Sequence, residues 1–250
     1  MNAKWFLGSL FAVLLGSAAP AMAGSDGDKW NYSLAPLFLW GMGIEGTTSI
    51  GPVSAPLDIQ FKDALDNLDG VFTIHFEAQK RDLTLFAEYQ YVNLGPEAQL
   101  PNGSVVNVTF KNTMAELGAG YRVVDGDVHD FELLGGGRYT KQDLTARGIP
   151  LPPLNSISNK ESWWDVFLGG RWTARLSERW KFVGRVDLAT GGSDMTSNLS
   201  GFFDYRFRDW GSVFIGYRYM DFDYEDGTGV NRYAYDATQE GPLAGLAIHW

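Results

Sequence analysis

The sequence predicts an all-β fold, an antiparallel up-and-down transmembrane β-barrel of ten strands that follows a cleaved signal peptide. Three observations support this prediction. The chain starts with a short apolar leader, its later segments alternate apolar and polar residues with period two, and its last strand ends on an aromatic residue. Period-two alternation is typical of strands whose two faces meet different surroundings.

The leader comprises residues 1–23. Lys4 precedes an apolar run from Trp5 to Leu15, and Ala21-Met22-Ala23 supplies the small residues of a cleavage site. A membrane-anchoring helix needs about 20 apolar residues, and this run is shorter. We therefore expect a signal peptide over 1–23 and one barrel domain over 24–250, since no linker divides the rest of the chain.

The composition excludes several kinds of chemistry. The chain has no cysteine, which excludes disulfides, a lipoprotein acyl site and thiolate metal or redox centres. Its formal net charge is −10, and the only charged residue of the leader is Lys4, so the mature chain is more acidic still. Nucleic-acid binding, which needs clustered Lys and Arg, is not expected.

The strand prediction rests on alternation and on connection length. In VFTIHFEAQK, Phe72, Ile74 and Phe76 share one face, whereas His75 and Glu77 share the other. Short polar connections at 81–82, 125–130, 177–179 and 208–209 alternate with longer ones at 44–70, 95–104, 147–160, 190–197 and 225–238. Short periplasmic turns that alternate with longer outer loops are typical of transmembrane barrels. The predicted strands are 30–43, 71–80, 83–94, 106–124, 131–145, 162–176, 180–189, 198–207, 211–224 and 236–250, and eight strands is the alternative count.

Two positions disturb the pattern. Pro36 lies inside the first predicted strand, where it removes a backbone donor, so we expect a bulge or a strand end there. The alternation slips near Lys111 to Thr113, which also predicts a bulge.

The apolar face of such strands can meet lipid or the core of a soluble periplasmic sandwich or lipocalin-like barrel. Two features favour lipid. Glycines such as Gly118 and Gly136 lie on the polar face, where they suit a crowded lumen. Aromatic residues lie near strand ends on the apolar face, as interfacial girdles do; they are Trp30, Trp40, Tyr91, Tyr121, Tyr139, Trp164, Trp180, Tyr205, Tyr219 and Trp250.

Charge matching on the polar face is a third feature. A narrow interior must pair its charges because an unpaired buried ion is costly, and Arg binds a carboxylate with two parallel donors. We therefore predict an Arg/carboxylate network that fills the lumen and leaves the acidic excess in turns and loops. Its expected members are Glu77, Glu88, Glu116, Glu132, Asp165, Asp187, Asp204, Arg122, Arg138, Arg171, Arg175, Arg185, Arg206 and Arg218.

Candidates for catalysis and metal binding are few. His75 with Glu77 resembles a general base oriented by a carboxylate, but no nucleophile can be assigned to it, and we expect a hydrogen-bonding pair, no enzyme activity and no cofactor. MDFDYEDGTG fails the EF-hand pattern. Asp221, Asp223 and Glu225 form either a solvated acidic loop or divalent-cation bridges to lipopolysaccharide phosphates. No dedicated metal site is predicted.

Phe61 to Gly70 has apolar residues at helical spacing, with Gly70 able to end the turn. This segment is interpreted as an ordered loop, a cap over the barrel mouth or a plug in the lumen.

The end of the chain and several longer segments carry a family resemblance. Gly245, Ile248 and Trp250 resemble the C-terminal assembly signal of Gram-negative outer-membrane proteins, although Leu243 departs from the usual polar residue. LAPLFLWGMGIEGT, AELGAGYRV, LLGGGRY and FIGYRYMDFDYEDG look like an uncharacterised family of proteobacterial outer-membrane barrels, similar to opacity-protein and OmpA/OmpW-type small barrels. The resemblance implies an outer-membrane location, contact with membrane lipid and lipopolysaccharide, and insertion by the barrel-assembly machinery.

These observations predict a monomeric outer-membrane barrel with a structural or surface-interaction role. The alternative is a narrow channel for small or apolar solutes, and an enzyme that modifies lipid or peptide is the third possibility. At ten strands the interior is nearly filled by side chains, so a wide porin is not expected.

Overall fold

A computed structural model describes residues 29–95, 97–99, 105–151 and 154–250. The predicted signal peptide, 1–23, lies outside the described residues. The strands are β1 (Asn31–Trp40), β2 (Gly43–Ile50), β3 (Val53–Ile59), β4 (Leu68–Lys80), β5 (Leu83–Leu94), β6 (Glu97–Gln99), β7 (Val105–Asp125), β8 (His129–Leu151), β9 (Leu154–Arg175), β10 (Trp180–Gly191), β11 (Met195–Arg208), β12 (Gly211–Asp226) and β13 (Tyr233–His249). The helices are α1 (Phe61–Asp66) and a 3-10 turn (Gly229–Asn231). Neither of these two helices is long and apolar enough to cross a membrane.

Ten antiparallel strands close into a ring. From β4 onward, β5, β7 and each later strand pair in chain order up to β13, and β1 pairs with both β4 and β13 to close the ring. β2 continues along β13 beyond β1, β3 folds back onto β2, and β6 pairs with β7, so these three extend the sheet without entering the ring. The ten-strand prediction is therefore confirmed over the described ranges, and the eight-strand alternative is wrong.

The two ends of the barrel differ in their connections. At one end, which we call the turn end, the chain reverses within a few residues between β4 and β5, β7 and β8, β9 and β10, and β11 and β12. The other end, the loop end, carries β2, β3, α1 and the longer connections. Because short turns lie on the periplasmic side of transmembrane barrels, the turn end faces the periplasm. The start of β1 and the end of β13 lie at this same end.

Three strands extend well beyond a membrane at the loop end. β7, β8 and β9 have 21, 23 and 22 residues, about twice the 9–11 that a tilted membrane strand needs. The loop predicted over 147–160 is wrong, because Arg147 pairs with Ser156 and the ladder of β8 and β9 continues past it. Outside the membrane both faces of a strand meet water, so the sequence there loses the alternation that identifies a strand.

The predicted bulge at Pro36 is confirmed, and the one near Lys111 is wrong. The register between β1 and β13 shifts between Leu34 and Leu37, on either side of the proline. β7 keeps one register with β8 through Lys111 to Thr113, and its irregularity lies between Arg122 and Val124.

The bulge also reverses the direction of Trp40. The sequence predicts Trp40 in an interfacial girdle, and the structure buries it inside the barrel. Because a one-residue shift exchanges the two faces of a strand, the residues that follow Pro36 point to the opposite side from the one that their spacing predicts.

An apolar band covers the outside of the ring. Leu168, Val166 and Leu117 are 72%, 67% and 67% exposed, and Trp164 and Trp180 are exposed near strand ends. A soluble protein rarely exposes so large an apolar surface, whereas a barrel in lipid requires it. The soluble sandwich or lipocalin-like alternative is therefore wrong.

Candidate functional site in the barrel interior

Charged side chains from seven strands meet in the middle of the barrel. The carboxylates and cations contact one another at hydrogen-bond distance, with little exposure to solvent. We call this group the lumen network; it comprises His75, Glu77, Glu88, Glu116, Glu132, Arg138, Arg171, Arg185, Asp187 and Arg218.

Arg138 lies at the centre of the lumen network and is fully buried. Its Nε donates to Glu116 Oε1 at 2.7 Å, and its Nη2 donates to Asp187 Oδ1 at 2.6 Å. Arg185 contacts the same two carboxylates, at 2.7 Å from Asp187 and 3.0 Å from Glu116. Both guanidinium groups lie over the ring of Phe167, at 5.4 and 5.1 Å from its centroid. Two arginines thus share two carboxylates in a dry setting, where breaking one pair leaves a buried charge uncompensated.

Two further arginines join this centre to the neighbouring strands. Arg171 donates to Glu132 and to Glu77, each at 2.5 Å. Arg218 donates to Glu88 at 2.8 Å, and its guanidinium carbon lies 5.0 Å from the centroid of the Trp40 ring. The planar guanidinium allows each arginine to bind two partners at once, which a lysine ammonium does with less geometric precision.

His75 balances the charge of the lumen network. Its Nδ1 lies 2.8 Å from Glu88 and its Nε2 lies 3.1 Å from Glu77. An ionised carboxylate only accepts hydrogen bonds, so both ring nitrogens donate and the imidazole is a cation. Five carboxylates therefore face four arginines and one imidazolium.

The partnership of His75 with Glu88 was accessible from the sequence. The predicted pair included Glu77 alone, because it lies two residues away on the same face. The two-residue connection between β4 and β5 places Lys80 opposite Leu83, and the same register places His75 opposite Glu88. Hairpin register is the signal that identifies this contact.

Four residues that the sequence assigns to the network lie instead at the turn end. Arg122 pairs with Asp125 at 3.2 Å, and Arg175 pairs with Asp130. Asp204 accepts a hydrogen bond from Ser212 at 2.8 Å and lies 3.9 Å from Lys181. Arg206 is exposed. The alternation identifies their inward face correctly, but it cannot show their height in the barrel.

Asp165 also lies outside the network. Its Oδ1 accepts from the backbone N–H groups of Gly192 and Ser193 at 3.0 and 2.8 Å, and its Oδ2 accepts from the Ser193 hydroxyl at 2.9 Å. The expected pairing with an arginine is wrong, because its register neighbour Arg138 donates to Glu116 and Asp187. Asp165 holds the connection between β10 and β11.

Replacing Asp165 by Ala is expected to lower the free energy of unfolding by about 1–3 kcal/mol, since it leaves buried donors without an acceptor. Urea unfolding of the protein in lipid vesicles measures this change. Asp194→Ala, in the same connection but exposed, is the matched control and should leave stability near that of the wild type. Equal effects of the two substitutions would contradict this role for Asp165.

Glycines make room for the aromatic rings of Phe86 and Phe167 inside the barrel. A Cβ on Gly118 would lie 2.4 Å from Phe86 Cζ, and one on Gly136 would lie 2.7 Å from Phe167 Cζ. The crowded lumen predicted from these glycines is confirmed.

Above the network, an apolar cluster fills the loop end of the interior. Trp163 and Tyr224 stack at its centre with ring centroids 4.0 Å apart. We call this cluster the loop-end plug; its buried members are Phe38, Trp40, Met42, Ile44, Ala64, Val92, Leu94, Phe110, Met114, Leu144, Trp163, Met220, Phe222, Tyr224, Tyr233, Tyr235, Ala237 and Leu243.

The helix α1 packs against the loop-end plug. Ala64 is its buried residue, and the ring of Phe61 occupies the space beside Gly41, where a Cβ would lie 2.0 Å from Phe61 Cε2. The helical interpretation of 61–70 is confirmed over Phe61–Asp66, in the position of a cap over the mouth.

Below the network, the interior opens. A cavity of about 450 Å³ extends from His75 and Arg218 to Arg179, in the turn between β9 and β10, and to Trp180 at the start of β10. We call it the turn-end cavity. The loop-end plug and the lumen network separate it from the outer face.

A Ser, a His and an Asp meet at the edge of this cavity. The Ser212 hydroxyl lies 2.8 Å from Asp204 Oδ2 and 2.9 Å from His249 Nε2. Because a carboxylate only accepts, the Ser212 proton goes to Asp204 and His249 donates to Ser212. This order is the reverse of an activated nucleophile, in which the histidine accepts from the serine, and Ser212 is fully buried.

Asp221, Asp223 and Glu225 lie near the loop end of β12. Glu225 forms two hydrogen bonds with Arg232, at 2.7 and 2.9 Å. In the described part of the chain, no group of three or more His, Asp or Glu residues is arranged to hold a metal ion. The divalent-cation bridge to lipopolysaccharide stays a prediction, which unchanged EDTA sensitivity after alanine substitution of Asp221 and Asp223 would contradict.

The C-terminal residues close the ring. Trp250 exchanges backbone hydrogen bonds with Tyr32 and stacks on its ring at 5.6 Å. Ile248 is exposed on the apolar band, and Gly245 faces inward, where Phe214 and Phe38 leave no room for a side chain. Their role as an assembly signal stays a prediction.

The barrel geometry agrees with the comparisons with known proteins. A family model described as "Protein of unknown function, DUF481" matches residues 108–238, and no curated protein matches the chain. The outer membrane protease OmpT from Escherichia coli aligns with a TM-score of 0.54 at 8% identity, over 92% of this chain and 99% of OmpT. This likeness supports an outer-membrane β-barrel fold and nothing about activity.

Two other solved structures align less well. Ail, the attachment invasion locus protein of Yersinia pestis, has a TM-score of 0.39 at 9% identity, over 89% of this chain and 99% of Ail. Neisserial surface protein A has a TM-score of 0.35 at 12% identity, over 90% of this chain and 98% of the other. The narrower resemblance to opacity-protein and OmpA/OmpW-type barrels stays a prediction.

Proposed function

The chain belongs to the DUF481 family, whose description names no activity, and we propose that it is a closed outer-membrane barrel with a structural or surface-interaction role. The observation that carries this proposal is the filled interior. A solute that crosses the barrel has to displace both the loop-end plug and the lumen network. Rings of the plug stack with centroids 4.0 Å apart, and Arg138 and Glu116 are buried within the network, so both barriers consist of closely packed groups.

Surface interaction is supported by what extends beyond the membrane. β7, β8 and β9 rise past the apolar band, and the hairpin of β2 and β3 extends the sheet from β13 at the same end. This surface is acidic: residues 43–70 contain five carboxylates and one cation, and residues 221–240 contain six carboxylates and one cation. A partner at this end would have to be cationic or would have to bind through divalent cations.

A role without catalysis is part of the proposal. His75 has both nitrogens engaged by carboxylates, which leaves no nitrogen to accept a proton from a substrate. His249 and Ser212 are arranged against nucleophilic attack. Both candidate histidines are therefore explained by structural contacts.

The proposed partners follow from the outer surface. Membrane lipid and lipopolysaccharide contact the apolar band and its aromatic rim, and the barrel-assembly machinery recognises Gly245, Ile248 and Trp250 during insertion. The chain acts as a monomer, since its own β1 and β13 close the ring.

Conductance of the refolded protein in a planar bilayer tests the closed barrel. The wild type is expected to insert and to carry no steady current. Arg185→Ala and Arg218→Ala are also expected to stay silent, because neither substitution removes the loop-end plug above the network. Steady current in the wild type, with a size that changes in these variants, would overturn the proposal and favour the narrow channel.

A further inference from the structure

The wall of the turn-end cavity combines apolar and charged side chains. Phe202, Phe214, Val183 and Ala247, on β10 to β13, supply an apolar part of the wall, and charged groups from both halves of the ring supply the rest. Small-molecule sites are typically cavities of about 300–1,000 Å³ with mostly apolar walls and a few placed polar groups. At about 450 Å³ the turn-end cavity falls in this range.

The charges deep in the cavity satisfy one another. His75, Glu77, Arg171 and Glu132 form a continuous chain of ion pairs, and Arg218 pairs with Glu88. Since these groups already have partners of opposite sign, the deep wall of the cavity is nearly neutral.

The mouth of the cavity carries an excess of positive charge. Five cations line it, namely Arg122, Arg175, Arg179, Lys181 and Arg206, against the three carboxylates Asp130, Glu178 and Asp204. The mouth is therefore positively charged, although the net charge of the whole chain is −10.

Two of these cations lie side by side. The backbone N–H of Arg206 donates to the carbonyl of Arg179 at 2.8 Å, so β11 and the turn before β10 bring the two arginines together. Over the described residues, neither guanidinium forms an ion pair with a carboxylate, although Arg122 and Arg175 do. Like charges held next to each other repel, and an anion between the two guanidinium groups would relieve the repulsion.

We propose that the turn-end cavity binds a small organic anion that enters from the periplasm. Its phosphate or carboxylate group contacts Arg179, Arg206 and Lys181 at the mouth, and its apolar part lies against Phe202 and Phe214. This binding requires no passage through the barrel.

Binding of three probes by the refolded wild type in lipid nanodiscs tests the proposal, with isothermal titration as the readout. Phenyl phosphate carries the anion and the apolar ring, benzyl alcohol carries a similar ring without charge, and inorganic phosphate carries the charge alone. We expect saturable binding of phenyl phosphate that weakens as salt is added, and weaker binding of the other two. Equal affinity for benzyl alcohol, or no saturable binding of phenyl phosphate, would overturn the proposal.

Three variants locate the site. Arg206→Ala and Arg179→Ala are each expected to weaken phenyl phosphate binding about three- to fivefold, the effect of losing one partly exposed charge contact. The matched control is Arg208→Ala, which removes an exposed arginine two residues further along the chain and outside the cavity. If all three variants weaken phenyl phosphate binding equally, the binding depends on the general surface charge, and the proposed site is overturned.

Discussion

Arg138→Ala is expected to cost the folded barrel about 3–5 kcal/mol, the penalty for removing one partner of a buried ion pair. The substitution removes a cation from Glu116 and Asp187, which Arg138 contacts at 2.7 and 2.6 Å in a site with no exposure to solvent. Arg185 remains beside both carboxylates and Arg218 lies 3.6 Å from Glu116, but four cations then face the five carboxylates of the lumen network. The free energy of unfolding in urea, measured in lipid vesicles, gives the size of the effect.

A double variant separates the effect of an unpaired buried charge from the effect of lost side-chain volume. Arg138→Met combined with Glu116→Gln removes one charge of each sign and keeps similar side-chain volumes. Replacing a buried ion pair by neutral groups is often close to neutral, so this double variant is expected to recover most of the loss. An Arg138→Ala protein as stable as the wild type would contradict the buried network.

Gly136→Ala is expected to destabilise the barrel wall strongly. The new Cβ would lie 2.2 Å from the Leu117 carbonyl oxygen, 2.6 Å from Gly118 Cα and 2.7 Å from Phe167 Cζ. Two of these atoms belong to the backbone of β7, which is held by the ladder to β8 and cannot easily move. We expect a loss of at least the 1–3 kcal/mol that is typical of overpacking, seen as a reduced yield of heat-resistant folded barrel.

The adjacent glycine provides the control. A Cβ on Gly137 would come no closer than 3.8 Å to its neighbours, an ordinary contact with the ring of Trp164. Gly137→Ala is therefore expected to fold like the wild type. Similar folding yields for the two alanine variants would show that the lumen is not crowded at Gly136.

The sequence predicts the membrane-spanning part of the fold well, because lipid and lumen impose opposite polarities on alternate residues. Strands such as β5, predicted at 83–94, agree with the structure at both ends. The prediction fails where that contrast ends. Residues 147–151 and 154–160 continue β8 and β9 into solvent, where neither face needs to be apolar.

The sequence predicts that the lumen contains an Arg/carboxylate network, but it predicts the members of that network only in part. Alternation places Glu116, Arg138 and Asp187 on the inner face, but it contains no information about height, so Arg206 and Asp204 are assigned to the network although they lie at the turn end. The loop-end plug is missed for a different reason. Pro36 shifts the register of β1 and turns Trp40 inward, and apolar residues above the network look like lipid-facing residues in the sequence.

The barrel is open at the turn end and sealed by its own side chains at the loop end. The chain has no cysteine, so single thiols report on each half of the interior. Ser200 lines the turn-end cavity, and Ala237 is 2% exposed in the loop-end plug. With a small water-soluble maleimide, Ser200→Cys is expected to react in the folded protein and Ala237→Cys only after unfolding. Reaction of both thiols at similar rates in the folded barrel would reveal a water-filled channel and would contradict a sealed loop end.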